Sequence, residues 1–97
     1  MKRFEAIVVG TGAVGAAVTY QLAGKGINVL GIDRFNPPHS FGSSHGDTRI
    51  TREIYNSDTQ VDLVRRSHQL WGAIEHDANV TLRRTTGGVF IGSRSCC

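Results

Sequence analysis

An α/β fold organised on one strand–helix–strand unit is what this sequence predicts, and three observations predict it. Ala6-Ile-Val-Val9 is a short apolar run rich in β-branched residues. Gly10, Gly12 and Gly15 follow it at once with the spacing G-x-G-x-x-G. A second apolar run, Asn28 to Ile32, closes on an acid, Asp33, eighteen residues beyond Gly15. Strand, glycines, helix, strand and acid in that order describe a Rossmann-like βαβ unit.

Each element has a physical reason. Phe4 to Val9 reads as a strand buried on both faces of a parallel sheet, where continuous apolar runs replace alternation. In the turn, the first glycine permits the tight bend and the second lets the backbone approach a pyrophosphate. The third lets the helix pack closely on the strand. A helix from Gly12 then presents Ala13, Val14, Ala16, Ala17, Val18 and Leu22, and Gly24 and Gly26 stop it. Its first N–H groups lack intrahelical acceptors and, with the positive end of the helix dipole, face an anion. The second strand should return by a right-handed crossover to pair in parallel. Asp33 alone would be a turn residue or cap. In register with the glycines it is the acceptor for a ribose hydroxyl. Thr19 stands where Gly or Ala often comes four residues after the third glycine, which predicts slightly looser helix–strand packing.

Length and charge narrow the function. With 97 residues the chain has room for one core and about one and a half βαβ repeats. It therefore looks incomplete for a dinucleotide-binding domain. The net charge of +3 is spread evenly, at +1 in each third of the chain. Nucleic-acid binding concentrates Lys and Arg on one face, so that class is disfavoured. Cys96 and Cys97 are adjacent and offer neither a disulfide framework nor metal-ligand spacing. A cytoplasmic setting is the expectation. Lys2 and Arg3 before an uncharged stretch imitate a signal peptide, but the stretch holds Gly10, Gly12, Gly15, Thr11, Thr19, Tyr20 and Gln21. Membrane association and export are disfavoured accordingly.

Beyond Asp33, Arg34 to Gly46 is a loop by composition, with Pro37-Pro38 forcing an extended path. Asp47 to Tyr55 has a helical rhythm, Ile50 and Ile54 sharing one face and Arg49 and Arg52 another. Thr59 to Asp77 is an amphipathic helix, capped by Asp58 or Thr59, with Val61, Val64, Trp71 and Ile74 in its apolar stripe. Trp71 reads as core packing, and Arg65, Arg66, His68 and His76 as a solvated face. Val80 to Arg84 and Val89 to Ile91 read as strands around a turn at Thr85 to Gly88, and 92–97 as a disordered or artificial tail. The expected organisation is thus a βαβ core over 4–33, a loop over 34–55, and helix with strands over 59–91.

Gly10-Thr-Gly-Ala-Val-Gly15, Pro37-Pro38-His39 and Gly42-Ser-Ser-His-Gly-Asp-Thr-Arg-Ile50, followed by Arg52 and Tyr55, together resemble a known family. It is the flavin-dependent amine oxidases of the monomeric sarcosine oxidase and N-methyl-tryptophan oxidase type. The resemblance continues through Leu70-Trp71 to Thr86-Gly87-Gly88. It implies FAD rather than NAD, the NAD-dependent dehydrogenases having no need of the Ser43 to Arg52 segment. The fold it implies is the N-terminal part of an FAD-binding domain in a larger two-domain flavoprotein, incomplete here.

The resemblance also implies roles. The ADP part of FAD would lie on Gly10, Gly12, Ala13, Val14 and Gly15 with Asp33 and Arg34, and the loop with Ser43, Ser44 and Thr48 would run along the cofactor. Arg49 would lie against the flavin, where a fixed cation stabilises negative charge on the reduced ring. Arg52 would take the substrate carboxylate with its forked donors. His45 and Tyr55 would border the substrate pocket, His45 with Arg49 in a catalytic role. The implied reaction oxidises a secondary or N-methyl amino acid, with oxygen as acceptor and peroxide as product. A missing C-terminal half or a second chain is the partner it leaves open. Without the resemblance, Arg49 and Arg52 are better read as solvated helix-surface residues pairing with Glu53 or Asp47. Ser44, His45 and Asp47 suggest a hydrolytic triad, and His39, His45 and Asp47 a metal site, only superficially. A catalytically inactive fragment or interaction subunit is the alternative to an active oxidase.

Overall fold

A computed structural model describes residues 1–92 of the chain. The chain forms two compact units, Met1–Arg49 and Ile50–Cys97. Cys96, Cys97 and the expected tail beyond Gly92 lie outside the described residues.

The first unit is α/β. Strand β1 (Ala6–Val9), helix α1 (Ala13–Gly24) and strand β2 (Val29–Ile32) follow in order. The strands pair in parallel with Ala6 opposite Val29 and Val9 opposite Ile32. Backbone bonds extend the ladder at both ends, from Glu5 N–H to the Asn28 carbonyl (2.8 Å) and from Gly10 N–H to the Ile32 carbonyl (2.7 Å). The Glu5 carboxylate accepts from Asn28 N–H at 2.8 Å, closing the far edge. α1 ends as its composition demands: Lys25 and Gly26 donate to carbonyls of the last turn, and Gly26 takes φ +79°, a value open to glycine.

β1 is not buried on both faces. Ala6 and Val8 are half-covered while Ile7 and Val9 are 59% and 81% exposed. One helix covers one face of a two-stranded sheet, and side chains alternate between faces. The opposite face of β1 therefore meets solvent. Among the described residues no side chain is fully buried. The loosening expected at Thr19 is compensated on β2. A Cβ on Gly31 would meet Thr11 Cγ2 at 3.1 Å and Thr19 Oγ1 at 3.4 Å, so the missing side chain at Gly31 makes room for the threonine. Thr19 Oγ1 meanwhile donates to the Gly15 carbonyl at 2.8 Å.

The second unit holds one long helix, α2 (Asp58–Ala78). Its N-cap is Ser57, one residue before the expected caps. It ends at Asn79, whose φ of 51° and ψ of 47° make a left-handed cap. Val61, Val64, His68 and Ile74 are half-buried along one side. Trp71, read as core packing, keeps 41% exposure. Arg65 and His68 are more than a solvated face: Arg65 Nε and His68 Nδ1 both donate to Glu53, at 3.1 and 3.2 Å. With Nδ1 donating, the His68 Nε2 accepts from the Thr51 hydroxyl at 2.9 Å. Arg65 first, then His68, hold the Glu53 carboxyl below its ordinary range.

Two further expectations fail here. Asp47 to Tyr55 is irregular rather than helical, because a helix this short needs a face to bury and Ile50 and Ile54 are 91% and 45% exposed. Val80 to Arg84 and Val89 to Ile91 form no strand. A strand requires a neighbour's carbonyls, whereas the Leu82 and Arg83 N–H groups both donate to Glu75 Oε1 at 2.7 Å. The Arg83 Nη2 closes on Glu75 Oε2 at 3.0 Å.

Glu75 thus ties the segment after α2 back onto the helix, and Arg83 lowers its carboxyl pKa. A carboxyl lowered on folding stabilises the fold above its ordinary value, near 4.3, and the contribution is lost as pH falls through the lowered value. Glu75→Gln should raise Leu82 and Arg83 amide exchange by about fivefold while leaving exchange in α1 unchanged. Equal exchange rates in wild type and variant would contradict this anchor.

Among the described residues no helix is long and apolar enough to cross a membrane.

Candidate functional site

The first unit carries an open cleft of about 1130 Å³, lined by the glycine turn, the first residues of α1, the end of β2 and the loop through Gly46. Local sequence builds it. Gly10 adopts φ +89°, which disfavours any residue with a Cβ. A Cβ on Gly15 would lie 1.8 Å from the Gly10 carbonyl oxygen, so only glycine lets the first turn of α1 sit against the turn. Gly12 is the N-cap and has no side-chain cap of its own. Its place is taken from afar: Ser44 Oγ accepts from Ala13 N–H at 2.8 Å. The first helical bond is Ala16 N–H to the Gly12 carbonyl. Helix geometry therefore leaves Val14 and Gly15 N–H without intrahelical acceptors.

Asp33 ends β2 and faces the same turn. Its Oδ2 accepts from Thr11 N–H at 2.8 Å and the Thr11 hydroxyl at 3.2 Å. Its Oδ1 accepts from Phe35 N–H at 3.1 Å and lies 3.1 Å from His39 Nε2. The Thr11 and Phe35 amides hold the carboxyl far below the ordinary range, against the opposing pull of partial burial. Asp33 is therefore ionised at neutral pH, tying the glycine turn to β2.

Of the residues expected to hold a cofactor, the cleft gathers Gly10, Gly12, Ala13, Asp33, Arg34, Ser43 and Ser44, together with His45. Val14 and Gly15, in the first turn of α1, and Thr48 and Arg49 do not line it, and Val14 is 80% exposed. The Arg34 guanidinium lies over the Phe35 ring at 5.4 Å. Arg49 folds back on its own loop, donating from Nη1 to the Thr48 carbonyl at 2.8 Å and from Nη2 to the Ser43 carbonyl at 3.4 Å. His45 Nδ1 bonds the Gly42 carbonyl. Ser44 and His45 thus point to separate partners, which is no triad. In the second unit the Arg52 guanidinium lies 5.5 Å from the centre of the Tyr55 ring.

Sequence reasoning did not single out Thr11, Phe35 and Phe41, which also line the cleft, nor place His39 on Asp33. The spacing Phe35-x₃-His39-x-Phe41 was the available signal, but only the loop's path reveals that the rings cluster.

The donor set suits the ADP part of a dinucleotide. Helix N-terminal amides are donors for a diphosphate, and an ionised acid at the end of β2 is an acceptor for a ribose hydroxyl.

Comparison with known proteins agrees. The family model for FAD dependent oxidoreductase matches residues 5–95. The chain is 42% identical over 92 residues to the monomeric sarcosine oxidase of Bacillus sp. (strain B-0618), covering 94% of this chain and 24% of that protein. It is 37% identical over 91 residues to the human peroxisomal sarcosine oxidase, covering 94% and 23%. Against the N-methyl-L-tryptophan oxidase of Yersinia pestis (strain Pestoides F) it is 39% identical over 90 residues, covering 92% and 24%. The chain spans about a quarter of the length of these curated relatives. With its strand–helix–strand unit, its glycine turn and a family match over nearly its whole length, the chain belongs to the FAD dependent oxidoreductase family.

Proposed function

We propose that this chain carries the ADP-binding part of a flavoprotein amine oxidase that oxidises an N-methyl or secondary amino acid, with oxygen as acceptor and peroxide as product. The observation that carries the reading is a single cleft joining the glycine turn, the first amides of α1, Asp33 and the Ser43–Gly46 loop. Relatives named for sarcosine and N-methyl-L-tryptophan oxidation supply the substrate class. The lack of a disulfide framework suits a cytoplasmic setting.

When bound, the flavin supplies the redox chemistry. The chain's own residues bind and orient. Val14 and Gly15 N–H receive the diphosphate, Ser43, Ser44 and Thr48 keep the loop along the cofactor, and Asp33 with Arg34 takes the adenosine end. Arg49 and His45 would serve the flavin end, Arg49, which donates to the Thr48 carbonyl, supplying a cation that would stabilise negative charge. Arg52 receives the substrate carboxylate through its forked donors, with Tyr55 beneath its guanidinium.

The purified chain, incubated with FAD and then desalted, should keep the visible absorbance of flavin; preferential retention of a nicotinamide dinucleotide would overturn the FAD assignment. A second reading, an inactive fragment or interaction subunit, is favoured by Ile7, Val9 and Val14 standing 59%, 81% and 80% exposed. Apolar surface of that kind calls for a cover. On this reading the isolated chain binds flavin without turning over sarcosine, and peroxide formation from sarcosine by the chain alone would exclude it.

A further inference from the structure

Asp33 is already fully engaged. A carboxylate offers about four lone-pair positions, and four donors face this one: the Thr11 amide, the Thr11 hydroxyl, the Phe35 amide and His39 Nε2. A ribose hydroxyl that donates to Asp33 must therefore displace one of them.

The two amides are held by the backbone. Thr11 follows Gly10, whose own N–H is bound to the Ile32 carbonyl at 2.7 Å, and Phe35 lies two residues beyond Asp33 itself. The side-chain donors differ in how firmly they are held. Phe41 N–H donates to His39 Nδ1 at 3.2 Å, so Nδ1 is the acceptor of the ring and Nε2 carries the proton given to Asp33. The ring lies edge-on to Phe35 at 5.2 Å and 5.9 Å from Phe41, while Phe35 and Phe41 stack at 4.3 Å. The His39 side chain is 19% exposed. The Thr11 hydroxyl makes the longest of the four contacts, 3.2 Å, on the oxygen its own amide already uses. A rotation releases it.

We propose that His39 is a positioning residue that fixes the Asp33 carboxylate, and that the Thr11 hydroxyl is the donor a ribose 2′-hydroxyl replaces. The proposal rests on the adenine-nucleotide reading of the cleft. The three rings then serve as a mount for the Nε2–H. With His39 in place, Oδ2 stays turned towards the glycine turn, where the incoming hydroxyl exchanges for the threonine's.

Titration calorimetry of the full chain with ADP and with 2′-deoxy-ADP tests this. Wild type should prefer ADP by about fivefold, because a ribose hydroxyl well placed on the carboxylate is worth more than the 3.2 Å threonine contact it displaces. His39→Phe keeps the ring packing and drops the donor, so the preference should shrink to about twofold or less, while His39→Gln, which retains an N–H, should restore most of it. Thr11→Val keeps the methyl against Gly31 and removes the competitor, so the preference for ADP over 2′-deoxy-ADP should grow about two- to fivefold. The ratio of ADP to 2′-deoxy-ADP affinity within each variant is the readout, so a general effect of the substitution on the cleft cancels. An undiminished preference in His39→Phe, or a smaller preference in Thr11→Val, overturns the proposal. Absence of ADP binding by wild type overturns the nucleotide reading and the proposal with it.

Discussion

Gly15→Ala should weaken nucleotide binding at least tenfold and destabilise the first unit. Two effects oppose each other at this position. Alanine is favoured over glycine inside a helix by about 1 kcal/mol. The new methyl, however, would stand 1.8 Å from the Gly10 carbonyl oxygen and 2.9 Å from its carbon. Those are backbone atoms at the tightest point of the turn, so no side chain can swing aside. Overpacking of well-packed groups costs about 1–3 kcal/mol, and the upper end applies where the backbone itself must move. The net loss of about 2 kcal/mol should appear as a lower urea midpoint, with ADP affinity reduced at least tenfold, on the order of the displacement of the amides that receive it. Gly24→Ala is the control. A Cβ there meets nothing within 4 Å, so helix propensity should prevail and stability be held or raised. A Gly15→Ala variant with wild-type ADP affinity would show that the turn relaxes without cost.

Asp33→Asn should weaken ADP binding by about tenfold or more, although the side chain keeps its shape. The carboxylate accepts from amides on both oxygens, Thr11 N–H on Oδ2 and Phe35 N–H on Oδ1. An amide side chain has one oxygen, so one backbone donor would face an NH₂ group. Either the glycine turn or the start of the following loop loses its anchor. The same two amides lower the carboxyl pKa. A lowered carboxyl stabilises the folded state above its ordinary value, near 3.9, and that stability is lost as pH falls through the lowered value. Carbon-detected NMR should find Asp33 still ionised at about pH 3, below the ordinary titration range. A midpoint near the ordinary value would mean that the turn is not tied to β2 in solution.

Sequence alone determined the strand–helix–strand unit, the glycine turn, the acid at the end of β2 and the family, because each depends on local constraints. Gly10 must accept φ +89°, Gly15 must carry no Cβ, and apolar runs bounded by glycines leave few alternatives. Family recognition used the Gly42 to Ile50 segment in the same way, as text that does not need folding to be read. Where a segment depended on a neighbour, the sequence misled. Val80 to Arg84 has strand composition, yet its amides are taken by Glu75. Asp47 to Tyr55 has helical spacing but no face to cover. The same limit applies inside the cleft. That Ser44 caps α1 from thirty-one residues away, that Gly31 makes room for Thr19, and that His39 stands on Asp33 are facts of where the loop returns. Periodicity reports which faces of an element are alike; only tertiary structure decides which lone pair each donor finds.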